Sequence, residues 1–318
     1  MTERGAKERV LSGMRPSGRL HLGNYLGALA NWVKLQDSLD CYYFVADWHA
    51  LTDDLDTSDV PGNTVEMLAD WLGAGLDPDR STLFIQSLVP EHAELHLLFS
   101  MTTPVTWLER VPTYRERIEQ QHLESPSYGL LGYPLLQSAD ILMYKPRWVP
   151  VGIDQAPHVE LTREVARRFN HSFREVFPEP DVKLTEIPKV PGTDGGKMSK
   201  SYGNTIDLAD DPETITRKIR PMVTDPARKR RSDPGNPDIC PVFDLNKIFT
   251  PESDRQMVAT NCRTAGWGCL GCKDVLLKHM LPPLEKIRER RQAFAEKPDV
   301  VKDILIEGSR RARVVAQH

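Results

Sequence analysis

Short apolar segments alternate with amphipathic segments over the first two-thirds of the chain. Runs rich in β-branched and aromatic residues predict strands, and apolar residues spaced three or four apart predict helices. The predicted strands are Arg9–Met14, Cys41–Asp47, Thr82–Gln86 and Val149–Ile153, and the predicted helices are Asn24–Gln36, Thr64–Leu76, Glu94–Met101 and Val159–Arg168. This alternation favours a Rossmann-type α/β fold, a doubly wound parallel sheet that presents ligands at the carboxyl ends of its strands.

The pattern becomes purely helical after Asn204. The run Asp210–Glu213 (Asp-Asp-Pro-Glu) predicts a helix start, because aspartate caps free N–H groups and proline suits the first turn. The helices expected here are Thr214–Arg220, Val242–Ile248, Asp274–Gln292 and Pro298–Val314. We therefore expect an α/β domain over residues 1–204, a small all-helical domain over 205–290, and a C-terminal helix within 291–318 that packs back on the first domain.

Two short segments have the composition of phosphate-binding sites. Pro16–Asn24 follows the first predicted strand, and its glycines permit close backbone approach at a helix start, where free N–H groups favour anions. His21 in this turn can donate a hydrogen bond to a phosphate oxygen. About 180 residues later, Lys197–Ser201 (Lys-Met-Ser-Lys-Ser) offers two compact charges to a departing pyrophosphate. The ordered pair predicts an enzyme that activates an acid with ATP.

These segments resemble the two signature motifs of class I aminoacyl-tRNA synthetases, and the residues around them are similar to the tryptophanyl branch of that family. The matching blocks follow the family order: Pro16–Leu29, Phe44–Thr52, Tyr133–Tyr144, Val149–Asn170 and Lys197–Asn204. The resemblance implies a tryptophan–tRNA ligase that converts L-tryptophan and Mg²⁺-bound ATP to tryptophanyl-adenylate and transfers the amino acid to tRNA(Trp). It also implies that the helical domain binds the anticodon.

The resemblance further implies the residues of the ATP site. His21, Lys197 and Lys200 are the implied catalytic residues. The implied ATP-binding residues are Arg15, Pro16, Ser17, Gly23, Asn24, Gly152, Ile153, Asp154, Pro188, Lys197, Met198, Ser199, Lys200 and Ser201. Asp154 would accept hydrogen bonds from the ribose, and Pro188 would touch adenine through its backbone. Arg15 occupies a position where the family often has glutamine.

Polar residues among apolar ones indicate the amino-acid pocket. From the sequence alone, Asp140 is either a helix N-cap before Ile141 or a buried carboxylate that must accept hydrogen bonds to offset its desolvation. The resemblance implies that Asp140 accepts the indole N–H of tryptophan, a group that only donates. It implies Tyr133 and Gln155 as holders of the α-amino group. The remaining implied tryptophan-binding residues are Val149, Val151, His49 and Leu11, and for His49 a structural role under a helix is an equal alternative.

Two other activities are alternatives. Archaeal-type tyrosyl enzymes are similar, but they place a tyrosine at the position of Leu11, where its hydroxyl binds the substrate phenol. Leu11 offers a phenol no polar partner, which disfavours tyrosine by roughly 1–3 kcal/mol. A catalytically inactive, synthetase-like RNA-binding protein is the other alternative, and the intact signature residues argue against it. Gln137 is a departure from the many bacterial members that carry methionine there, and it changes one wall of the pocket.

Four cysteines lie close together in the second predicted domain. Cys240, Cys262, Cys269 and Cys272 are spaced by twenty-one, six and two intervening residues. Clustered thiols in a cytoplasmic chain indicate a metal rather than disulfides, and four thiolates suit either tetrahedral Zn²⁺ or a [4Fe–4S] cluster. A subset of bacterial tryptophanyl enzymes carries a [4Fe–4S] cluster on a very similar pattern, so the resemblance favours the iron–sulfur cluster over zinc.

Composition limits the partners and the location. With 318 residues and a net charge of −4, the chain has no overall positive charge, so RNA contact must depend on a local patch. Arg228, Lys229, Arg230 and Arg231 form such a patch and are predicted to bind tRNA. No secretory signal and no apolar run of membrane-spanning length is found, so we expect a cytoplasmic protein without membrane contact. The resemblance implies a homodimer, with Trp107–Gln121 as the expected interface segment.

Overall fold

The computed structural model describes residues 7–52, 54–152, 156–184 and 190–318. Within these residues one five-stranded parallel sheet has the order β3-β2-β1-β4-β5. The strands are β1 Arg9–Met14, β2 Asp40–Val45, β3 Ser81–Ile85, β4 Trp148–Val151 and β5 Asp181–Leu184. Val10 of β1 pairs with Cys41 on one side and Trp148 on the other. The strand order reverses direction between β1 and β4, which leaves a ligand crevice beyond their carboxyl ends. The predicted Rossmann-type fold is confirmed.

Helices pack on both faces of the sheet. Successive residues of β1 belong to different hydrophobic cores, with Val10 in the larger core and Leu11 in the second, because side chains alternate between the faces of a strand. The helices of the α/β part are α1 Leu22–Asn24, α2 Ala30–Leu35, α3 Asp47–Ala50, α4 Val60–Ala74, α5 Glu91–Ser100, α6 Val105–Glu109, α7 Pro112–Gln121, α8 Tyr128–Met143 and α9 Ala156–Ser172. A π-helical segment, Tyr25–Leu29, joins α1 to α2, a feature often found near functional sites.

The last third of the chain is helical, as predicted. Its helices are α10 Pro212–Ile219, α11 Pro241–Phe249, α12 Glu252–Arg263, α13 Cys269–Ala295 and α14 Pro298–Ala316. Helix α13 continues through position 290, so a division there falls inside a helix. Helix α14 packs directly on β3: a Cβ at Gly308 would lie 1.7 Å from the Leu83 carbonyl oxygen, so only glycine fits. No helix in the described part of the chain is both long and apolar enough to cross a membrane.

The main differences from the predicted elements lie around α8. Four predicted strands are found within one or two residues of their expected ends, but β5 was not expected. Helix α8 was not predicted either, because Pro134 and the glycines near its start mask its periodicity. The N-cap interpretation of Asp140 is wrong, since this residue lies inside α8 and is completely buried.

A buried ion pair connects α4 and α13 to the first signature segment. Asp70 Oδ1 accepts a hydrogen bond from Arg291 Nε at 2.5 Å, and its Oδ2 accepts one from the Leu20 backbone N–H at 2.6 Å. Arg291 also pairs with Glu66. Burial raises the pKa of Asp70 to about 6, although Arg291 and the Leu20 N–H oppose the rise. The start of the first signature segment is thus held by a buried carboxylate whose pKa lies well above its ordinary range.

This raised pKa predicts a specific pH dependence of stability. An unfolded aspartate titrates near about 3.9, so between about pH 4 and pH 6 the folded state holds more protons than the unfolded chain. The contribution of Asp70 to the free energy of unfolding should therefore fall as the pH rises through that window. Asp70→Asn should remove this decline, which is on the order of 1–3 kcal/mol, in urea unfolding curves. The exposed Asp299→Asn serves as the control, and an unchanged slope in Asp70→Asn would contradict the assignment.

Candidate active site

A cleft of about 610 Å³ lies beyond the carboxyl ends of β1 and β4. Its walls come from the ends of β1, β2 and β4, from the π-helical segment, and from helices α2, α3, α7, α8 and α9. The cleft is lined by both apolar and polar side chains, among them Leu11, Arg15, His49, Tyr133, Gln137, Asp140, Val149 and Val151. This is the position at which a doubly wound sheet binds nucleotides and their partners.

Asp140 is the most strongly held polar group in the cleft. Its side chain has no exposed surface, and its Oδ1 accepts hydrogen bonds from Gln86 Nε2 at 2.7 Å and His92 Nδ1 at 2.6 Å. Its Oδ2 lies 2.7 Å from His49 Nε2. Burial acts to raise the pKa of Asp140, but the charges and hydrogen bonds of His49 and His92 outweigh it and hold that pKa well below its ordinary range. The carboxylate is therefore ionised, and a lone pair of Oδ2 remains for one more donor.

The position of His49 suits both of the roles considered for it. It lies at the cleft, where its ring packs edge-on against Tyr133 with centroids 6.4 Å apart. It also holds Asp140 from the substrate side, while His92 holds it from behind and bonds onward to the Tyr144 hydroxyl at 2.8 Å. The structural and substrate-facing interpretations are thus compatible in this geometry.

A second polar group borders the same cleft. Tyr133 and Gln137 lie one turn apart on α8, and each is linked to the buried His158 of α9. Gln137 Oε1 is 2.7 Å from His158 Nδ1, and Thr113 Oγ1 on α7 joins His158 Nε2 at 3.0 Å to the Tyr133 hydroxyl at 2.5 Å. Three helices are therefore fixed to one another at the edge of the pocket.

The first signature segment forms a tight turn between β1 and α1. Gly18 has a φ of +83° and Lys200 Nζ lies 3.6 Å from where its Cβ would be, so the position needs glycine and the turn closely approaches that lysine. His21 precedes α1, and Asn24 Oδ1 accepts its backbone N–H at 3.1 Å. Burial and the charge of Lys200 lower the pKa of His21, so the imidazole is neutral at neutral pH and can donate without carrying charge.

The lysine segment begins at the second arm of a hairpin, in which Pro191 and Lys197 form an antiparallel bridge, and ends in a 3-10 turn at Lys200–Tyr202. Asn204 organises it, because its side chain accepts the Ser199 N–H at 2.8 Å and donates to the Lys197 carbonyl at 3.0 Å. Lys200 Nζ donates to the Ser17 carbonyl, which brings this hairpin against the first signature turn. The segment after the hairpin is also hydrogen-bonded to the first signature segment, since the Ile206 carbonyl accepts the Leu22 N–H at 2.8 Å. Two segments far apart in sequence therefore meet at Lys200.

The structure places the predicted site residues as follows. Leu11, His49, Tyr133, Asp140, Val149 and Val151 line the cleft together with Arg15 and Gly152. Pro16, Ser17, His21, Gly23 and Asn24 form the turn after Arg15, and Lys197, Met198, Ser199, Lys200 and Ser201 form the hairpin against it. Ile153, Asp154, Gln155 and Pro188 lie outside the described residues.

Several polar residues in the cleft or directly behind it were not identified from the sequence. Gln86 and His92 hold Asp140, and Thr113 and His158 connect to Tyr133. Their partners lie tens of residues away along the chain, so no local pattern marks them. Only a chemical argument could have indicated that such partners exist, because a carboxylate predicted to be buried requires several hydrogen-bond donors from other parts of the chain.

The four cysteines surround a second, much smaller cavity of about 20 Å³. Burial, together with the charges of the other three thiols, raises the pKa of Cys272 to about 12. No group of three or more His, Cys, Asp or Glu side chains within the described ranges is arranged to hold a metal ion. Arg228 also lines this cavity, and its Nη2 donates to the Trp267 carbonyl at 2.6 Å.

The four residues of the predicted basic patch differ in their exposure. Arg228 is half-buried at the cysteine cavity, and its Nη2 also donates to the Arg231 carbonyl at 3.0 Å. Lys229, Arg230 and Arg231 are exposed on the turn that follows. This basic turn is anchored at its far end, where the Gly235 N–H donates to the Cys262 carbonyl at 2.9 Å. The exposed charges therefore depend on the cysteine region for their placement.

Comparison with known proteins identifies the family. Residues 3–280 match the family described as tRNA synthetases class I (W and Y). The chain is 52% identical to the tryptophan–tRNA ligase of Thermotoga maritima, a match that covers 97% of this chain and 95% of the relative. It is 43% identical to that of Aquifex aeolicus, covering 97% and 96%. A solved structure of tryptophanyl-tRNA synthetase from Campylobacter jejuni complexed with ADP and tryptophan matches with a TM-score of 0.87 and 37% identity, covering 97% and 96%.

The buried carboxylate of the cleft and the contact between the two signature segments are consistent with the family that the relatives indicate. The chain belongs to the class I tRNA synthetases for tryptophan and tyrosine, and its activity is that of a tryptophan–tRNA ligase.

Proposed function

We propose that the cleft binds L-tryptophan with its indole between Leu11, Val149 and Val151 and its N–H donated to Asp140 Oδ2. The observation that carries this proposal is the completely buried, ionised Asp140, which has an acceptor position left after His49, His92 and Gln86 are satisfied. Tyr133 and Gln155 hold the α-amino group in this arrangement. Pyrophosphate exchange measured with each of the twenty amino acids tests the assignment, and activation of tyrosine instead of tryptophan would overturn it.

The phosphates of Mg²⁺-bound ATP lie, in this proposal, against the turn at residues 15–24 and the lysine hairpin. Arg15, Pro16, Ser17, Gly23 and Asn24 contact the triphosphate, and Gly152, Ile153, Asp154 and Pro188 contact the nucleoside. The tryptophan carboxylate attacks the α-phosphate in line and pyrophosphate leaves. His21, Lys197 and Lys200 stabilise the charge that develops on the leaving group, with Met198, Ser199 and Ser201 shaping the hairpin.

In the second step the ribose hydroxyl at the 3′ end of tRNA(Trp) attacks the adenylate. We assign residues 1–204 to catalysis, 205–290 to anticodon binding and 291–318 to the C-terminal helix. The exposed Lys229, Arg230 and Arg231 are the proposed phosphate contacts of the tRNA, with Arg228 holding their turn in place. Because tRNA charging supplies the ribosome, the proposed location is the cytoplasm.

The cysteine site is proposed to hold a [4Fe–4S] cluster, with Zn²⁺ as the alternative. The donor set fits a soft metal, since Cys240, Cys262, Cys269 and Cys272 all border one cavity and the group is made only of thiols. The Arg228 guanidinium at the same cavity suits a centre with negative charge. When bound, the cluster would supply cross-links between α11, α12 and α13, and the residues around it would hold the basic turn.

Replacing one ligand should separate the two catalytic steps. Protein purified without oxygen is expected to be brown, with absorbance near roughly 400 nm and bound iron. Cys269→Ser should lose the iron and most tRNA charging while tryptophan adenylation is retained, because the cysteines lie outside the cleft. Cys41→Ala, at a buried cysteine of β2, is the control and should keep the iron. Bound zinc in anaerobic protein would reject the cluster, and equal loss of both steps would make the site a general support of the fold.

The functional unit is proposed to be a homodimer. Helices α5 and α6 expose neighbouring apolar side chains at Leu97, Leu98, Met101 and Val105, which are 55–74% exposed. This patch adjoins the predicted interface segment Trp107–Gln121. Exposed apolar surface of this kind is typical of protein–protein contacts. Sedimentation of the purified chain measures the oligomeric state directly.

A further inference from the structure

A chain of four hydrogen-bonding side chains borders the tryptophan pocket and ends at the Tyr133 hydroxyl. It runs from Gln137 through His158 and Thr113 to Tyr133, with successive distances of 2.7, 3.0 and 2.5 Å. All four residues line the 610 Å³ cleft. His158 is only 3% exposed, so both of its ring nitrogens depend on protein partners rather than on water.

The chemistry of the first residue sets the direction of every hydrogen bond in the chain. The structure places the amide oxygen of Gln137 at His158 Nδ1, and an amide oxygen can only accept, so Nδ1 carries the proton. In the neutral imidazole the other nitrogen, Nε2, is then an acceptor, and the Thr113 hydroxyl donates to it. The Thr113 oxygen therefore receives the hydroxyl proton of Tyr133.

We propose that Gln137 is a positioning residue that fixes the Tyr133 hydroxyl as an acceptor toward the α-ammonium group of the substrate. An ammonium group has three donors and no acceptor, so it requires an oxygen whose own proton points elsewhere. With the Tyr133 proton committed to Thr113, the phenol oxygen presents its lone pairs to such a group. This inference rests on the proposed role of Tyr133 in holding the α-amino group.

Replacing Gln137 with methionine would remove this control over the direction of the Tyr133 hydroxyl proton. The Nδ1–H of His158 would lose its acceptor, and the buried imidazole could then take the other tautomer, with its proton on Nε2. Thr113 would accept from Nε2 and donate to Tyr133, and the Tyr133 proton would turn toward the substrate. Two donors would then face each other at the α-ammonium position.

The first experiment compares two ligands with and without the ammonium group. Equilibrium dialysis of Gln137→Met should show tryptophan bound about tenfold more weakly, a factor corresponding to roughly one hydrogen bond. Indole-3-propionate, which has the indole and carboxylate but no ammonium group, should bind as tightly as to the unmodified protein. Gln256→Met, on the exposed face of α12, is the matched control and should change neither affinity.

Two further variants separate this inference from the role of Tyr133. Tyr133→Phe should also weaken tryptophan and spare indole-3-propionate, and if it does not, the proposed function of Tyr133 fails. If Tyr133→Phe weakens tryptophan binding and Gln137→Met does not, the proposed relay, meaning the control of Tyr133 by Gln137 through His158 and Thr113, fails while the role of Tyr133 stands. Gln137→Glu keeps an acceptor at His158 and should retain tryptophan affinity, whereas its failure to do so would mean that the amide of Gln137 donates.

A double-variant cycle distinguishes a relay from local packing. Thr113→Val interrupts the series of hydrogen bonds between Gln137 and Tyr133. Adding Gln137→Met to the Thr113→Val variant should therefore weaken tryptophan binding no further. Losses that multiply would overturn the relay, because they would show that the two residues act independently. Equal weakening of tryptophan and indole-3-propionate in Gln137→Met would likewise overturn it, since Gln137 would then only shape the indole pocket.

Discussion

Lys200→Ala is expected to lower the single-turnover rate of tryptophanyl-adenylate formation by about 10²–10³. Lys200 Nζ lies against the phosphate turn, where it donates to the Ser17 carbonyl and approaches Gly18. In the proposed mechanism its charge acts where pyrophosphate charge develops, and an interaction made mainly in the transition state changes the rate more than the binding. Rapid-quench measurement of adenylate gives the rate, and equilibrium dialysis gives the tryptophan affinity, which should change little.

The control for this prediction is Lys278, a lysine of α13. Lys278 is 72% exposed in its side chain and lies on the helical part of the chain, outside the cleft. Lys278→Ala should leave adenylate formation unchanged. A Lys200→Ala protein that forms adenylate at the normal rate but binds tryptophan weakly would show that the hairpin serves the amino acid rather than the pyrophosphate.

The sequence allowed the sheet and the turn after β1 to be predicted because both depend on local patterns. The strands Arg9–Met14 and Ser81–Ile85 have dense apolar runs, and the turn at residues 16–24 has glycines at fixed places beside a helix start. The assignment to tryptophan is confirmed by the relatives. The Rossmann-type fold followed from strand–helix alternation, which the sheet order confirms.

What could not be predicted depends on contacts between distant residues. Asp140 bonds to His49, His92 and Gln86, which are 91, 48 and 54 residues away along the chain. No spacing rule links them, and the proline inside α8 concealed the helix that carries Asp140. Arg228 is a similar case, because a run of four basic residues gives no sign that the first lies at the cysteine cavity while the other three are exposed.

Replacement of Asp140 should have the largest combined effect on the free energy of unfolding and on the selectivity for tryptophan. Asp140→Ala would leave the donors of the fully buried His92 and Gln86, and that of His49 at the cleft, without their carboxylate partner, and each buried donor left unpaired costs roughly 1–3 kcal/mol. We therefore expect the free energy of unfolding in urea to fall by about 3–5 kcal/mol, with little tryptophan activation remaining. Such a loss alone does not show what Asp140 does for the substrate, so a second variant is needed.

Asp140→Asn preserves the shape of the side chain but removes its charge and turns one acceptor atom into a donor. Tryptophan is compared with its benzothienyl analogue, in which sulfur replaces the indole N–H at nearly constant shape. The unmodified protein should activate tryptophan in strong preference, because only tryptophan donates to Oδ2, and in Asp140→Asn the preference should fall by at least about tenfold. Gln86→Met is the matched control, since it removes one of the Oδ1 donors: it should lose stability and keep the preference. If Asp140→Asn still prefers tryptophan as strongly as before, Asp140 is a structural anchor for the two histidines, and the indole N–H must be recognised elsewhere in the cleft.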